Sequence, residues 1–286
     1  MECFENYSSL RQFIQLSKMA GKSIGFVPTM GFLHAGHLSL LREARLACDV
    51  VVCSIYVNPT QFNEVKDLQA YPRDVKRDLT LLEKEGCDAV YLPSNEDIYP
   101  GGIDQLTLGF TFGPLEKVME GKHRPGHFNG VAQVIPRLFH QVQPDKAYFG
   151  QKDLQQCRIV ECLVRDLGFD VQIEVCGIVR EEDGLAMSSR NVRLDARQRK
   201  LAPVLYQTLQ RAEKQLQQYQ RLDEVINDCV AWIQQYPEFT LEYFEIVDKD
   251  SLQPLQGYQA ESKLAVCLAA HLGTARLIDN LIVDIA

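Results

Sequence analysis

The run Asp49-Val-Val-Val-Cys-Ser-Ile-Tyr-Val57 is β-branched and apolar with almost no polar alternation. Such a strand has no face to offer water, which predicts burial on both sides, in a parallel sheet covered by helices. Ile24-Gly-Phe-Val27, Asp88-Ala-Val-Tyr-Leu92, Lys146-Ala-Tyr-Phe149 and Val171 to Cys176 read as further strands. Helical spacing separates them. It begins at Leu38, Leu40 and Leu41, and recurs over residues 73–85, where Val75, Leu79 and Leu82 share one side and Gly86 closes the segment. A helix interrupted by Pro136 is predicted around Val131 to Val142, and another from Leu154 to Leu167, capped by Gly168. This alternation is the α/β pattern of a Rossmann-like sheet.

Past residue 178 the texture changes. Glutamine-rich helices are predicted at 195–218 and 222–235, then strands at 240–247, 263–270 and 275–283. The expectation is a Rossmann-like N-terminal domain over 1–178 and a smaller α+β C-terminal domain with an antiparallel sheet over 179–286. Residues 93–126 are rich in Gly and Pro, and so long a connection suggests a lid or another functional loop.

Composition excludes several classes. In 286 residues, 46% are hydrophobic and 24% charged, ordinary for a chain that buries a core. The net charge of −8 and the lack of a basic run argue against a nucleic-acid surface. They do not argue against ATP, which needs only local positive potential. The nine cysteines are scattered without a Cys-x-x-Cys pair and read as small buried hydrophobes in a reducing compartment. The acidic N-terminus lacks a secretory pattern and no run of about 18 apolar residues occurs, so a cytoplasmic location is expected.

In open α/β sheets ligands lie outside the carboxyl ends of the strands, and the conspicuous polar residues stand there. The first strand leads through Pro28-Thr-Met-Gly-Phe-Leu-His-Ala-Gly-His37 into a helix start, which favours phosphate. His34 and His37 add donors, although a histidine pair at such a place is more often a cap or a packed pair. A zinc helix of the His-Glu-x-x-His type lacks its Glu here. The second strand leads to Asn58 and Gln61, which are equally good turn residues. The strand at 146–149 leads to Gly150, Gln151, Lys152 and Asp153, where an exposed ion pair or an N-cap is the plainer reading. Ser188, Ser189 and Arg190 follow the last strand, and the serines are ordinary caps on their own. The joint placement at one sheet edge shifts the balance toward transfer of a phosphate-bearing group, with Lys152 and Arg190 as cations and the serines as short donors. P-loop, dinucleotide and nucleophile-elbow signatures are absent. No covalent nucleophile stands out, so catalysis rests on positioning and charge stabilisation.

These motifs together resemble the pantoate–β-alanine ligase family nearly end to end. They comprise the 28–37 stretch, Val57-Asn-Pro-Thr-Gln-Phe62, Tyr71-Pro-Arg73, Arg124-Pro-Gly-His-Phe128, Phe149-Gly-Gln-Lys-Asp153, Met187-Ser-Ser-Arg-Asn191 and Thr274-Ala-Arg-Leu-Ile-Asp279. The resemblance implies ATP-dependent joining of pantoate to β-alanine through a pantoyl adenylate, with Mg²⁺ accompanying ATP and a homodimer as the assembly. It implies ATP contacts from Met30, Gly31, Phe32, Leu33, His34, Ala35, Gly36 and His37. Further contacts are implied from Gly150, Gln151, Lys152 and Asp153, from the Val179 backbone, and from Met187, Ser188, Ser189 and Arg190. His34, His37, Lys152, Ser188, Ser189 and Arg190 carry the implied catalytic roles, His37 as proton donor. Gln61 and Gln156, with Asn58 and Arg124, are implied on the pantoate and β-alanine side. No side chain is assigned to the metal. Ala35 and Gln151 stand where the family frequently has Glu. The alternatives are another adenylate-forming enzyme of this architecture and a non-catalytic nucleotide sensor; the retained His37, Lys152 and Ser188 weigh against the sensor.

Overall fold

The apolar runs become the centre of a six-stranded parallel sheet in a computed structural model that describes residues 1–218 and 221–285. The chain forms two compact units. Met1–Phe112, Arg124–Gln151 and Gln156–Gly177 make the first; Gly113–His123, Lys152–Gln155 and the chain from Ile178 make the second.

In the first unit the elements run β1 (Glu2–Phe4), α1 (Tyr7–Met19), β2 (Ile24–Thr29), α2 (Ala35–Ala47), β3 (Val50–Ile55), α3 (Val65–Gln69), α4 (Val75–Lys84), β4 (Ala89–Tyr91) and α5 (Asn95–Ile98). After α6 (Met119–His123), which belongs to the second unit, come α7 (His127–Val142), β5 (Lys146–Gly150), α8 (Leu154–Leu167) and β6 (Gln172–Cys176). The strand order is β1-β4-β3-β2-β5-β6, with every neighbouring pair parallel. Chain progression reverses between β2 and β5, and the carboxyl ends of those two strands form the switch point where such sheets bind ligands. One face of the sheet, with Val27, Val51, Cys53 and Val90, packs on Leu38, Leu41 and Ala44 of α2 and Leu82 of α4. On the other face Phe26 meets Phe139 of α7 edge-on at 6.4 Å. Apolar contact on both faces explains why these strands lack alternation.

Several sequence readings change. The N-terminal β1 and α1 form where neither was foreseen. The helix expected from Val131 starts at His127 and continues through Pro136. Residues 93–126 are not one loop: they include α5, α6 and 3-10 turns at Ile103–Gln105 and Gly113–Glu116.

In the second unit β7 (Phe239–Asp248), β8 (Lys263–Leu272) and β9 (Ala275–Asp284) form an antiparallel sheet in that order. The helix expected over 195–218 is two, α9 (Ala196–Leu201) and α10 (Val204–Leu216), because Pro203 cannot supply the N–H that would join them. With α11 (Leu222–Ile233), α10 covers the face carrying Leu264, Val266, Leu268 and Ala270. The opposite face, with Tyr243, Val247, Ala265, Cys267 and Ala269, is covered by Met119 and Leu154. That apolar second face draws Gly113–His123 and Lys152–Gln155 into this unit.

Candidate active site

At the carboxyl end of β2 the chain turns sharply into α2. Thr29 Oγ1 donates to the Ser54 carbonyl at 2.8 Å and accepts from the Gly31 amide at 3.1 Å. Gly31 has φ +81°, and a Cβ there would lie 2.9 Å from Ile55 Cγ2. The turn is held by Asp78 of α4, whose carboxylate accepts from the amides of Phe32 at 2.7 Å and Leu33 at 2.8 Å. Asp78 is 1% exposed. Burial pushes its carboxyl upward, with those two N–H bonds and Arg77 opposing. This residue was not foreseen; the available signal was an acid four residues before the buried Leu82 on the apolar face of its helix.

His34 is the N-cap of α2. Its Nδ1 accepts from the Gly36 amide at 3.2 Å, and its own amide donates to His37 Nδ1 at 3.3 Å. The two rings lie 4.1 Å apart. The capping reading is therefore realised, and it does not compete with the phosphate reading. A neutral imidazole whose Nδ1 accepts must carry its proton on Nε2, so the cap fixes both rings as Nε2 donors beside a helix N-terminus.

At the end of β3 Asn58 caps the 3-10 turn Pro59–Gln61. It is 1% exposed, and protein groups engage both ends of its amide. Oδ1 accepts from Tyr99 Oη at 2.7 Å and Thr60 Oγ1 at 3.0 Å, while Nδ2 donates to Gln61 Oε1 and the Gly130 carbonyl, both at 3.1 Å. Asn58 thus orients the amide of Gln61, whose Nε2 points to Met30 Sδ at 2.9 Å. The Gln61 carbonyl accepts from His127 Nδ1 at 2.8 Å, and His127 Nε2 accepts from Arg124 Nη1 at 3.1 Å. His127 lay inside a recognised motif without a role; the fold makes it the link between Arg124 and Gln61. Met30, His34, His37, Asn58, Gln61 and Arg124 all belong to the first unit. Gly150 ends β5 beside β2, Gln151 follows it, and Gln156 lies in the first turn of α8.

The other predicted residues belong to the second unit. Lys152 Nζ stands 3.4 Å from Asp153 Oδ1. Val179 and Met187 face each other across a short hairpin, the Met187 amide donating to the Val179 carbonyl at 3.0 Å. Ser188 caps the 3-10 turn Ser189–Arg193, its Oγ accepting from the Arg190 amide at 3.2 Å. Ser189 is buried. Among the described residues no group of three or more His, Cys, Asp and Glu is placed to hold a metal.

Within the first unit the arrangement offers neutral imidazole donors at a helix N-terminus and a pre-set glutamine amide, a setting for a phosphate group and a small polar acid. Comparison with known proteins agrees. The family model described as pantoate-beta-alanine ligase matches residues 2–282. The pantothenate synthetase of Porphyromonas gingivalis is 46% identical over 281 residues, covering 98% of this chain and 99% of that protein. That of Thermotoga neapolitana is 46% identical over 283 residues, covering 99% of each. The crystal structure of the Thermus thermophilus pantothenate synthetase superposes with a TM-score of 0.91 at 43% identity, covering 98% of this chain and 99% of that one. A Francisella tularensis pantoate-beta-alanine ligase, complexed with beta-gamma ATP and beta-alanine, matches with a TM-score of 0.82 at 33% identity, covering 99% and 97%. The chain belongs to the pantoate–β-alanine ligase family.

Proposed function

We infer that this chain joins pantoate to β-alanine at the expense of ATP. A pantoate carboxylate oxygen attacks the α-phosphorus of ATP; the bond to the bridging oxygen breaks and pyrophosphate leaves. The β-alanine amine then attacks the acyl carbon of pantoyl adenylate, the acyl–oxygen bond breaks, AMP departs, and the amine proton is lost. The observation that carries this reading is the reciprocal His34–His37 cap at the carboxyl end of β2, which makes both rings Nε2 donors where phosphate is favoured. In the first unit His34 and His37 donate to phosphate oxygens along the 30–37 turn, His37 serving as proton donor, and Gly150 and Gln151 add ATP contacts. Gln61 and Gln156 hold pantoate, with Asn58 orienting Gln61 and Arg124 acting through His127. In the second unit Lys152 meets the charge that grows on the phosphates, and Asp153, Val179, Met187, Ser188, Ser189 and Arg190 complete the ATP contacts. Mg²⁺ enters as the MgATP substrate, bound through phosphate oxygens and water as that ion prefers. The family resemblance also supports a cytoplasmic homodimer and a functional division into domains 1–178 and 179–286.

ATP–pyrophosphate exchange tests the reading, with pantoate present and β-alanine absent. Exchange that requires pantoate is expected. Exchange with another acid only would discard the substrate, and no exchange with any acid, despite ATP binding, would favour a nucleotide sensor.

A further inference from the structure

Two consecutive residues of β9, Asp279 and Asn280, have no role in the reaction as derived so far, yet both are 3% exposed and polar. The Asp279 carboxylate takes Arg180 in a two-pronged pair, Oδ2 to Nη1 at 2.6 Å and Oδ1 to Nη2 at 3.0 Å. Arg180 follows Val179 in the hairpin that ends at Met187. Its Nη1 also donates to the Gly184 carbonyl at 3.1 Å, at the turn of that hairpin, and its Nη2 to the Asn280 carbonyl at 3.2 Å. The guanidinium stacks on Tyr206 at 3.8 Å. Gly184 has φ +92°, and a Cβ there would meet the Tyr206 ring at 2.4 Å, so the turn, the ring and the arginine fit only as built. One residue further along β9, Asn280 Nδ2 donates to the Lys152 carbonyl at 3.0 Å. The Asn280 amide closes the unit by donating to Asp279 Oδ1 at 2.8 Å.

We propose that Asp279 and Asn280 are positioning residues for adenylate formation, holding the Val179–Met187 hairpin and Lys152 in one frame. The proposal rests on the functional reading of Val179, Met187–Arg190 and Lys152 given above. A buried ion pair is a poor device for stability alone, since apolar residues of similar volume often serve as well. What a two-pronged arginine–carboxylate pair supplies is orientation, with the planar fork fixed in both direction and rotation. Here the fork ties the adenine-side hairpin to β9, and the adjacent asparagine ties the lysine backbone to the same strand. Asp279 is the hub: burial pushes its carboxyl upward, while Arg180 and then the Lys152 charge act in the opposite direction.

The test uses the full chain and three variants, read by thermal unfolding, equilibrium ATP affinity and pantoate-dependent ATP–pyrophosphate exchange. Asn280→Ala removes the side-chain bond to the Lys152 carbonyl and leaves the Arg180–Asp279 fork in place; the expected result is a drop in exchange kcat of about tenfold or more with ATP affinity changed less than about threefold. Arg180→Lys keeps the charge and loses the fork; ATP binding is expected to weaken about tenfold, which retention of charge does not rescue. Asp279→Asn is expected to show both defects, and the first two variants decide the matter should it fail to fold. Lys152→Ala runs in parallel. Folded Asn280→Ala and Arg180→Lys proteins with wild-type kcat and ATP affinity, beside an impaired Lys152→Ala, overturn this inference alone. Full activity of Lys152→Ala overturns the lysine role and the Asn280 arm with it. Absence of pantoate-dependent exchange in the wild type overturns the functional reading as well.

Discussion

Gly130 shows how a single missing atom shapes the turn that carries Gln61, the residue proposed to hold pantoate. A Cβ at that position of α7 would lie 2.2 Å from the Thr60 carbonyl oxygen and 2.5 Å from Gln61 Cα. Both are backbone atoms, so neither yields cheaply, and only glycine lets α7 and the 3-10 turn touch. The same carbonyl that anchors Asn58 belongs to Gly130. Gly130→Ala is expected to displace the turn and with it the Gln61 amide, destabilising the fold by about 1–3 kcal/mol as overpacking does. Pantoate KM should rise more than ATP KM. Denaturant midpoints with substrate-by-substrate kinetics check this, and equal changes in both KM values would remove Gln61 from the pantoate side.

At the scale of the element, the rings that cap α2 are the same pair proposed to donate to phosphate, so a single substitution to alanine confounds the two roles. His34→Ala is expected to lose about 1 kcal/mol from the cap together with exchange activity. His34→Asn separates the two, because asparagine caps well and has no imidazole. Its thermal midpoint should return toward wild type while exchange activity stays low. Recovery of both together would mean that the cap alone matters. The turn before α2 depends equally on α4, since Asp78 accepts from the amides of both Phe32 and Leu33.

At the scale of the whole molecule, an acidic chain of net charge −8 holds part of its second unit together through charge. Glu242 of β7 lies against Arg276 of β9, with His271 Nε2 at 3.5 Å and His123 Nδ1 at 4.0 Å. Arg276 in turn pairs with Glu120 at 2.7 Å, and Tyr243 Oη donates to the same carboxylate at 2.8 Å. Burial works to raise the Glu242 carboxyl, but Arg276 outweighs it and the group ends below its ordinary 4.5. A carboxyl depressed in the folded state contributes stability that is present above 4.5 and drains away as pH falls below it. Thermal midpoints followed from about pH 6 to about pH 3 should therefore fall more steeply for the wild type than for Glu242→Gln, which starts lower. Parallel curves would show that the pair adds nothing.

The sequence alone determined the local chemistry and the strands that anchor it. Apolar runs marked β2, β3, β4 and β5 because a strand buried on both faces cannot hide its composition; the edge strand β6, half exposed, showed instead as alternation, and α8 was legible from its helical spacing and Gly168. The motifs at 28–37, 57–62, 71–73, 124–128, 149–153, 187–191 and 274–279 identified the family because all seven occur in its order. Other features carried no local mark. A three-residue strand such as β1 has no periodicity to read, and its place is set by pairing with β4. Pro203 announced the break between α9 and α10, yet helical spacing on both sides of it masked the signal. Only tertiary structure decided that Gly113–His123 and Lys152–Gln155 join the second unit, because the apolar second face of β7–β9 must be covered and no stretch of chain records what will cover it. The same holds for Asp78, Asp279 and Asn280: each reads as one more polar residue until burial leaves it a few fixed partners, and those partners are contributed by segments distant in the chain.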